Sequence, residues 1–155
     1  MGTLGEAMNE EPQLKVSPDG TKEWRLNGKL HRTDGPALEW ANGNKEWYFK
    51  GKLHRIDGPA VERANGNKEW YFKGKRHRTD GPAYEGANGD KEWWLNGETH
   101  RTDGPAIERA DGTKEWRLND ELLGKGSEGF WALWDLLDDE QRSNWELLQW
   151  APWVK

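Results

Sequence analysis

Large apolar side chains in this chain come in short alternating runs through the first three-quarters of its length and at helical spacing only near the end. Within Lys45–Asn67 the run Glu46-Trp47-Tyr48-Phe49 alternates so that Trp47 and Phe49 fall on one side of a strand and Glu46 and Tyr48 on the other. The same run stands at Trp24-Arg25-Leu26, Trp70-Tyr71-Phe72, Trp93-Trp94-Leu95 and Trp116-Arg117-Leu118, which sets a period of 23 residues. The Trp/Phe-or-Leu side is expected to be buried, with Tyr48, Tyr71 and Trp94 partly exposed. Each first run ends in a tight turn (Asn27-Gly28, Lys50-Gly51, Lys73-Gly74, Asn96-Gly97), because glycine accepts the positive φ such turns need. The second run, Pro36–Ala41 and its copies, ends at Asn42-Gly43, Asn65-Gly66, Asn88-Gly89 or Asp111-Gly112. Between the runs lies His-Arg-x-Asp-Gly-Pro-Ala. Its Asp-Gly-Pro predicts a bend, and the proline belongs at the start of the second strand because it cannot donate to a ladder.

These signals divide the chain into a disordered leader (1–13), a β-hairpin array (14–121) and a helical cap (122–155). The units are 22–44, 45–67, 68–90, 91–113 and a partial 114–121, giving about ten short strands. Residues 14–21 match the end of a repeat. Register at the Asn-Gly hairpin follows from charge. A two-residue loop at Asn42-Gly43 would place Glu39 against Glu46, whereas a three-residue loop with Gly43 as the bulge residue places Glu39 against Lys45. The bulged turn is expected in every repeat.

The period changes after GKGSEG (residues 124–129), which reads as a flexible joint. Phe130, Leu133, Trp134 and Leu137 follow at i, i+3, i+4, i+7 and predict an amphipathic helix with Ser127 as N-cap. Asp138-Asp139-Glu140-Gln141 predicts a second helix start, and Trp145, Leu148, Trp150 and Trp153 extend the apolar surface.

Mean hydropathy of −1.18 would suit a disordered chain, but twelve tryptophans and a strict repeat favour order with a thin core. Net charge is −5; residues 22–119 carry 19 Lys+Arg against 16 Asp+Glu, so the acidity lies in the two ends. An almost neutral array lacks the basic stripe that nonspecific nucleic-acid binding requires. With no cysteine, disulfides and thiolate metal sites are excluded. No secretory signal or transmembrane stretch is evident, so a soluble cytoplasmic protein is expected.

The 23-residue unit, with an aromatic strand, hairpin turns and an asparagine- or aspartate-glycine turn, resembles the MORN repeat family over residues 14–119. It looks most like a bacterial or phage-type variant. The resemblance implies an all-β repeat array, an elongated twisted antiparallel sheet of stacked hairpins, used as a scaffold, for dimerisation or for membrane attachment rather than for catalysis.

His31, His54, His77 and His100, with Asp34, Asp57, Asp80 and Asp103, invite a metal or acid–base reading. Equivalent histidines one repeat apart would stand ~10 Å from each other, too far to share one zinc ion. A structural role is expected instead, with Asp accepting backbone N–H groups in the bend and His and Arg bonding across repeats. No metal or cofactor is expected. A column of Arg25, Tyr48, Tyr71, Trp94 and Arg117 is the first candidate binding surface, since these residue types dominate interface hot spots. A second is the variable set Trp40, Arg63, Tyr84 and Arg109; positions 40, 63, 86 and 109 hold Trp, Arg, Gly and Arg. A third is the tail, Trp131, Trp134, Trp145 and Trp150, which serves either as a cap or as a partner-binding helix. The sequence therefore points to a non-enzymatic binding or scaffold module with a protein partner, and away from nucleic acid and membrane. Self-association stays open. Competing readings are a small phage-type inhibitor that sequesters a host protein or nucleotide signal, and a hydrolase using the His/Asp/Arg set.

Overall fold

The computed structural model describes residues 11–143, so the expectations for 1–10 and for Trp145, Trp150 and Trp153 lie outside the described residues. The chain divides into two compact units, Met1–Gly74 and Lys75–Lys155. Each is an antiparallel array of short strands joined by hairpins, and the second ends in a small helical cap.

In the first unit the strands Gln13–Val16, Lys22–Leu26, Leu38–Glu39, Lys45–Glu46, Val61–Glu62 and Lys68–Glu69 pair in that order. The ordered array thus begins at Gln13, one residue before the expected start. The bulged-turn register holds: Glu39 faces Lys45, Leu38 faces Glu46, and Glu62 faces Lys68. Trp40 N–H donates to the Asn44 carbonyl (2.9 Å) and Gly43 N–H to the Trp40 carbonyl (2.9 Å), which closes a three-residue loop with Gly43 at φ 90°. The result is one cross-strand row that alternates Lys22, Glu39, Lys45, Glu62, Lys68, and a neighbouring row that alternates Glu23, Leu38, Glu46, Val61, Glu69. Opposite charges stand side by side in the first row, and each glutamate of the second is separated from the next by an apolar residue.

In the second repeat the first strand run is not continuous, unlike Lys22–Leu26. Trp47 breaks it, sending its N–H to the Ala60 carbonyl (2.8 Å) and accepting from His54 N–H (3.0 Å). Beyond it Tyr48–Phe49 turns away to pair with Lys52–Leu53 in a small ribbon of its own. Lys50 and Gly51 both have positive φ (51° and 79°), as a two-residue hairpin turn demands. This turn clamps onto the preceding repeat. Gly51 N–H donates to the Leu30 carbonyl (2.8 Å), Lys50 N–H to His31 Nδ1 (3.0 Å), and Arg32 N–H to the Tyr48 carbonyl (3.1 Å). The His-Arg pair is therefore the socket for the next repeat's turn. At the other end of the repeat Asn44 Oδ1 accepts the Ala64 N–H (2.8 Å), tying successive bulged turns together.

Burial departs from the expected face. The buried positions are Ala37, Ala60, Leu38 and Val61, whereas Phe49 and Phe72 are exposed and Trp24, Trp47 and Trp70 only half-buried. The indoles are roofed by arginine instead of packed into a core. Arg32 lies 4.0 Å from the Trp24 ring and Arg55 4.0 Å from the Trp47 ring.

The second unit pairs Tyr84–Glu85, Lys91–Glu92, Ile107–Glu108, Lys114–Leu118 and Glu121–Lys125 in order, with Trp94–Leu95 and Glu98–Thr99 as a side ribbon. Its Arg101 covers Trp93 at 3.9 Å, and its Ala83, Ala106 and Ile107 are buried. The last hairpin uses Asn119-Asp120, both at positive φ (48° and 66°). Asp120 recovers the strain of that position through Oδ1, which accepts the Thr99 N–H (2.7 Å) and hydroxyl (2.8 Å).

The expected flexible joint is ordered. Gly124 and Lys125 belong to the strand Glu121–Lys125, and helix α1 (Gly126–Leu136) follows directly. Ser127 is not the N-cap: Lys125 holds that position with extended backbone, and no side chain caps the helix. Gly124 and Gly129 bring helix and strand so close that a Cβ on Gly129 would stand 2.5 Å from the Gly124 carbonyl oxygen and 3.0 Å from the Trp116 ring. Trp116, Phe130, Leu133 and Leu137 form the buried cluster here, with Leu118, Leu123 and Trp134 packed around it. A second short helix, α2 (Asp139–Ser143), starts where expected, with Asp138 Oδ1 accepting the Gln141 N–H and Gln141 Oε1 accepting the Asp138 N–H (2.8 and 3.0 Å).

Candidate binding face

The glutamate of each Lys-Glu-Trp run and the residue two positions later share one side of the strand, and in all five copies they bond to each other. In the first unit Arg25 Nε donates to Glu23 (2.7 Å), and the Tyr48 and Tyr71 hydroxyls donate to Glu46 and Glu69 (2.9 and 3.0 Å). In the second, Trp94 Nε1 donates to Glu92 (3.0 Å) and Arg117 Nε to Glu115 (2.9 Å). The first candidate column is thus a set of side chains whose polar tips are tied down and whose rings or stems are left half-exposed.

The variable set meets the same glutamates. Glu46 also accepts from Trp40 Nε1 (3.2 Å) and Arg63 Nη1 (3.3 Å), so Trp40, Tyr48 and Arg63 converge on one buried carboxylate. Arg63 extends to Glu69 at 3.9 Å. In the second unit Arg109 bonds Glu92 (3.0 Å) and approaches Asp90 (3.5 Å), while Arg76 reaches Glu92 at 3.6 Å and lies 4.9 Å from the Trp94 ring. Tyr84 is placed differently from its partners in that set. By register it is the counterpart of Leu38 and Val61, facing Glu92, and position 86 is the counterpart of Trp40 and Arg63. The space at Gly86 is taken by Asn88 Oδ1 and the Tyr84 hydroxyl, 2.5 and 3.2 Å from where a Cβ there would stand.

Burial and the hydrogen bond to Glu46 push the Tyr48 hydroxyl up to about 12. Burial alone would raise Glu115, but the hydrogen bond and charge of Arg117, with Lys125 at 3.5 Å, hold it below the usual carboxylate value. The glutamates are the residues of this candidate face that the sequence does not single out by type. The signal was present: Glu23, Glu46, Glu69, Glu92 and Glu115 stand two residues before every column member, on the same face of an alternating strand.

The histidines and aspartates are otherwise engaged. His54 Nδ1 accepts the Lys73 N–H (3.1 Å), as His31 does from Lys50 and, in the second unit, His77 from Asn96 (3.0 Å). Asp34 and Asp57 accept Arg32 Nε and Arg55 Nε (2.8 and 2.9 Å), not backbone N–H groups as expected. Arg55 also donates to the Pro59 carbonyl and to Glu62, so it bonds within its own repeat. Among the described residues no group of three His, Asp or Glu is placed to hold a metal ion. In the tail, Trp134 packs on the cap core while Trp131 is exposed beside Phe130. Among the described residues no helix is long and apolar enough to cross a membrane. A scan of family models finds no match to this chain, and a search of curated proteins finds none.

Proposed function

We propose that this chain is a non-enzymatic binding module of the MORN type that engages a partner protein through the face bearing the glutamate-tethered columns. The observation that carries the reading is the convergence of Trp40, Tyr48 and Arg63 on Glu46. Binding charges side-chain ordering against affinity, and rings fixed before the encounter escape most of that cost. The residue types are those of interface hot spots, and their variation from repeat to repeat gives a heterogeneous surface on a uniform frame. The engaged state of His31, His54, Asp34 and Asp57 supports a frame role for them rather than acid–base work.

The test is site-specific photo-crosslinking in the native host. A photoreactive phenylalanine analogue at position 48 or 71 is expected to trap one and the same protein, and the analogue at exposed Leu14 or Val16, on the Trp24 side of the strands, is expected not to. Adducts confined to the remote positions would overturn the assignment of this face.

A further inference from the structure

We propose that a second surface, the groove between successive Asp-Gly-Pro bends of the first unit, docks an extended basic peptide segment of polyproline type. The groove holds about 800 Å³ and is lined by Asp34, Trp47, Phe49, His54, Ile56 and Asp57, with both bend arginines in its wall. It lies on the Trp47 side of the strand, opposite Tyr48.

Two departures from solvated-loop behaviour mark it. Ile56 is 86% exposed at a position where the other repeats carry Thr33, Thr79 and Thr102. Phe49 is 41% exposed beside it. An isoleucine in open water contributes nothing to this fold that threonine does not, and its apolar area is stabilising only if something covers it.

Charge selects the occupant. Arg32 and Arg55 are stacked on Trp24 and Trp47, their side chains only 21% exposed, and their guanidiniums are spent on aspartate, a proline carbonyl and, for Arg55, Glu62. Their partners point the other way. The Asp34 and Asp57 side chains are 79% and 83% exposed, and each gives Oδ1 to arginine. An approaching chain meets two carboxylates with an apolar strip between them. One cation, Lys50, rests over Phe49 at 5.4 Å and is the group a docking peptide displaces.

Spacing selects the conformation. Equivalent aspartates are two strands apart, about 9.6 Å. A polyproline II helix advances about 9.3 Å in three residues and returns every third side chain to the same side. Arginine at every third position therefore places one guanidinium at each aspartate, with the intervening prolines over Ile56 and Phe49. Aromatic-lined grooves recognise such segments because the ligand is already extended before it binds.

The test uses the full chain and a fluorescein-labelled (Pro-Pro-Arg)3 peptide, read by fluorescence anisotropy. Controls are (Pro-Pro-Glu)3 and a peptide of the same composition with its three arginines contiguous. The periodic arginine peptide is expected to bind, the glutamate peptide not to, and the contiguous one at least about fivefold more weakly. Ile56→Thr installs the residue the array itself uses and leaves folding intact. It is expected to weaken binding about tenfold, as is Asp57→Asn. Equal binding of all three peptides, no binding of (Pro-Pro-Arg)3, or unchanged affinity in Ile56→Thr would overturn the proposal.

Discussion

The guanidinium of Arg55 sits over the indole of Trp47, 4.0 Å from the ring centroid, while it donates to Asp57, Pro59 and Glu62. A planar ion with donors along its edge is the only side chain that can stack and bridge three acceptors at once. Arg55→Ala should therefore cost about 2 kcal/mol, combining a partly desolvated cation–π contact with charge-assisted hydrogen bonds. Arg55→Lys should recover less than half of it. Urea midpoints of the two variants check this, and equal stability of Lys and Arg at this position would refute the stacking account.

The glycine of the bend exists for the same arginine. Gly58 does not have positive φ, yet a Cβ there would stand 3.0 Å from the Arg55 Cζ. Gly58→Ala should displace the guanidinium and cost about 1–3 kcal/mol. In Gly58→Ala/Arg55→Ala the alanine has nothing left to push, so the double variant should be clearly less destabilised than the sum of the singles. Additive denaturation energies would show that the glycine serves the backbone instead.

How far the sequence disclosed this structure depends on whether the information was local. The hairpins, their bulged register and the helical face Phe130–Leu137 follow from glycines, charges and spacing within a few residues, and all are present. The buried face was not legible, because an exposed Trp47 and a Trp47 roofed by an arginine eight residues later have the same local sequence. Gly124–Gly129 reads as a joint for a similar reason. Its glycines answer to the close approach of α1 and the last strand, which no neighbouring residue announces. The column Arg25, Tyr48, Tyr71, Trp94 and Arg117 shares a strand side with Glu23, Glu46, Glu69, Glu92 and Glu115 as alternation predicts, but the hydrogen bonds between them are side-chain contacts that spacing alone does not announce.

The Tyr48–Glu46 tether has a spectroscopic signature. With its hydroxyl pushed up to about 12, Tyr48 should ionise roughly two pH units above an ordinary tyrosine, visible as a delayed step in phenolate absorbance assigned by difference against Tyr48→Phe. Glu46→Gln removes the negative acceptor and should bring the step down. A Tyr48 step at the ordinary position in the wild-type protein would mean the hydrogen bond is absent in solution.

Acid should loosen the bends. The arginine hydrogen bonds and charges beside Asp34, Asp57 and Asp80 hold these carboxylates below their ordinary value in the folded protein. A lowered folded pKa means stabilisation that is present above the unfolded pKa, near pH 4, and is lost as pH falls through the folded value. Thermal midpoints should thus be flat near neutrality with respect to these groups and decline below about pH 4. Asp34→Asn/Asp57→Asn should have a lower midpoint at neutral pH and a shallower decline in acid. A double variant that tracks the wild-type curve throughout would exclude the aspartates as its source.

The helical segment closes the array, and its glycine contact makes the claim testable without truncation. Trp116 is fully buried, where the equivalent Trp24, Trp47 and Trp93 are only partly so, because Phe130 and Leu133 cover it. Gly129→Ala puts a methyl into the 2.5 Å approach to the Gly124 carbonyl and should lift α1 from the strand at a cost of about 2–3 kcal/mol. The exposed surface would then be the apolar side chains of Trp116, Leu118 and Leu123, a patch of the kind that associates with other chains. The expected outcome is a lowered melting temperature, a red shift in tryptophan emission and concentration-dependent association by light scattering. Deleting residues 126–155 should have the same effects in stronger form. A deleted chain that stayed monomeric and melted at the wild-type temperature would show that the helix covers nothing the array needs covered.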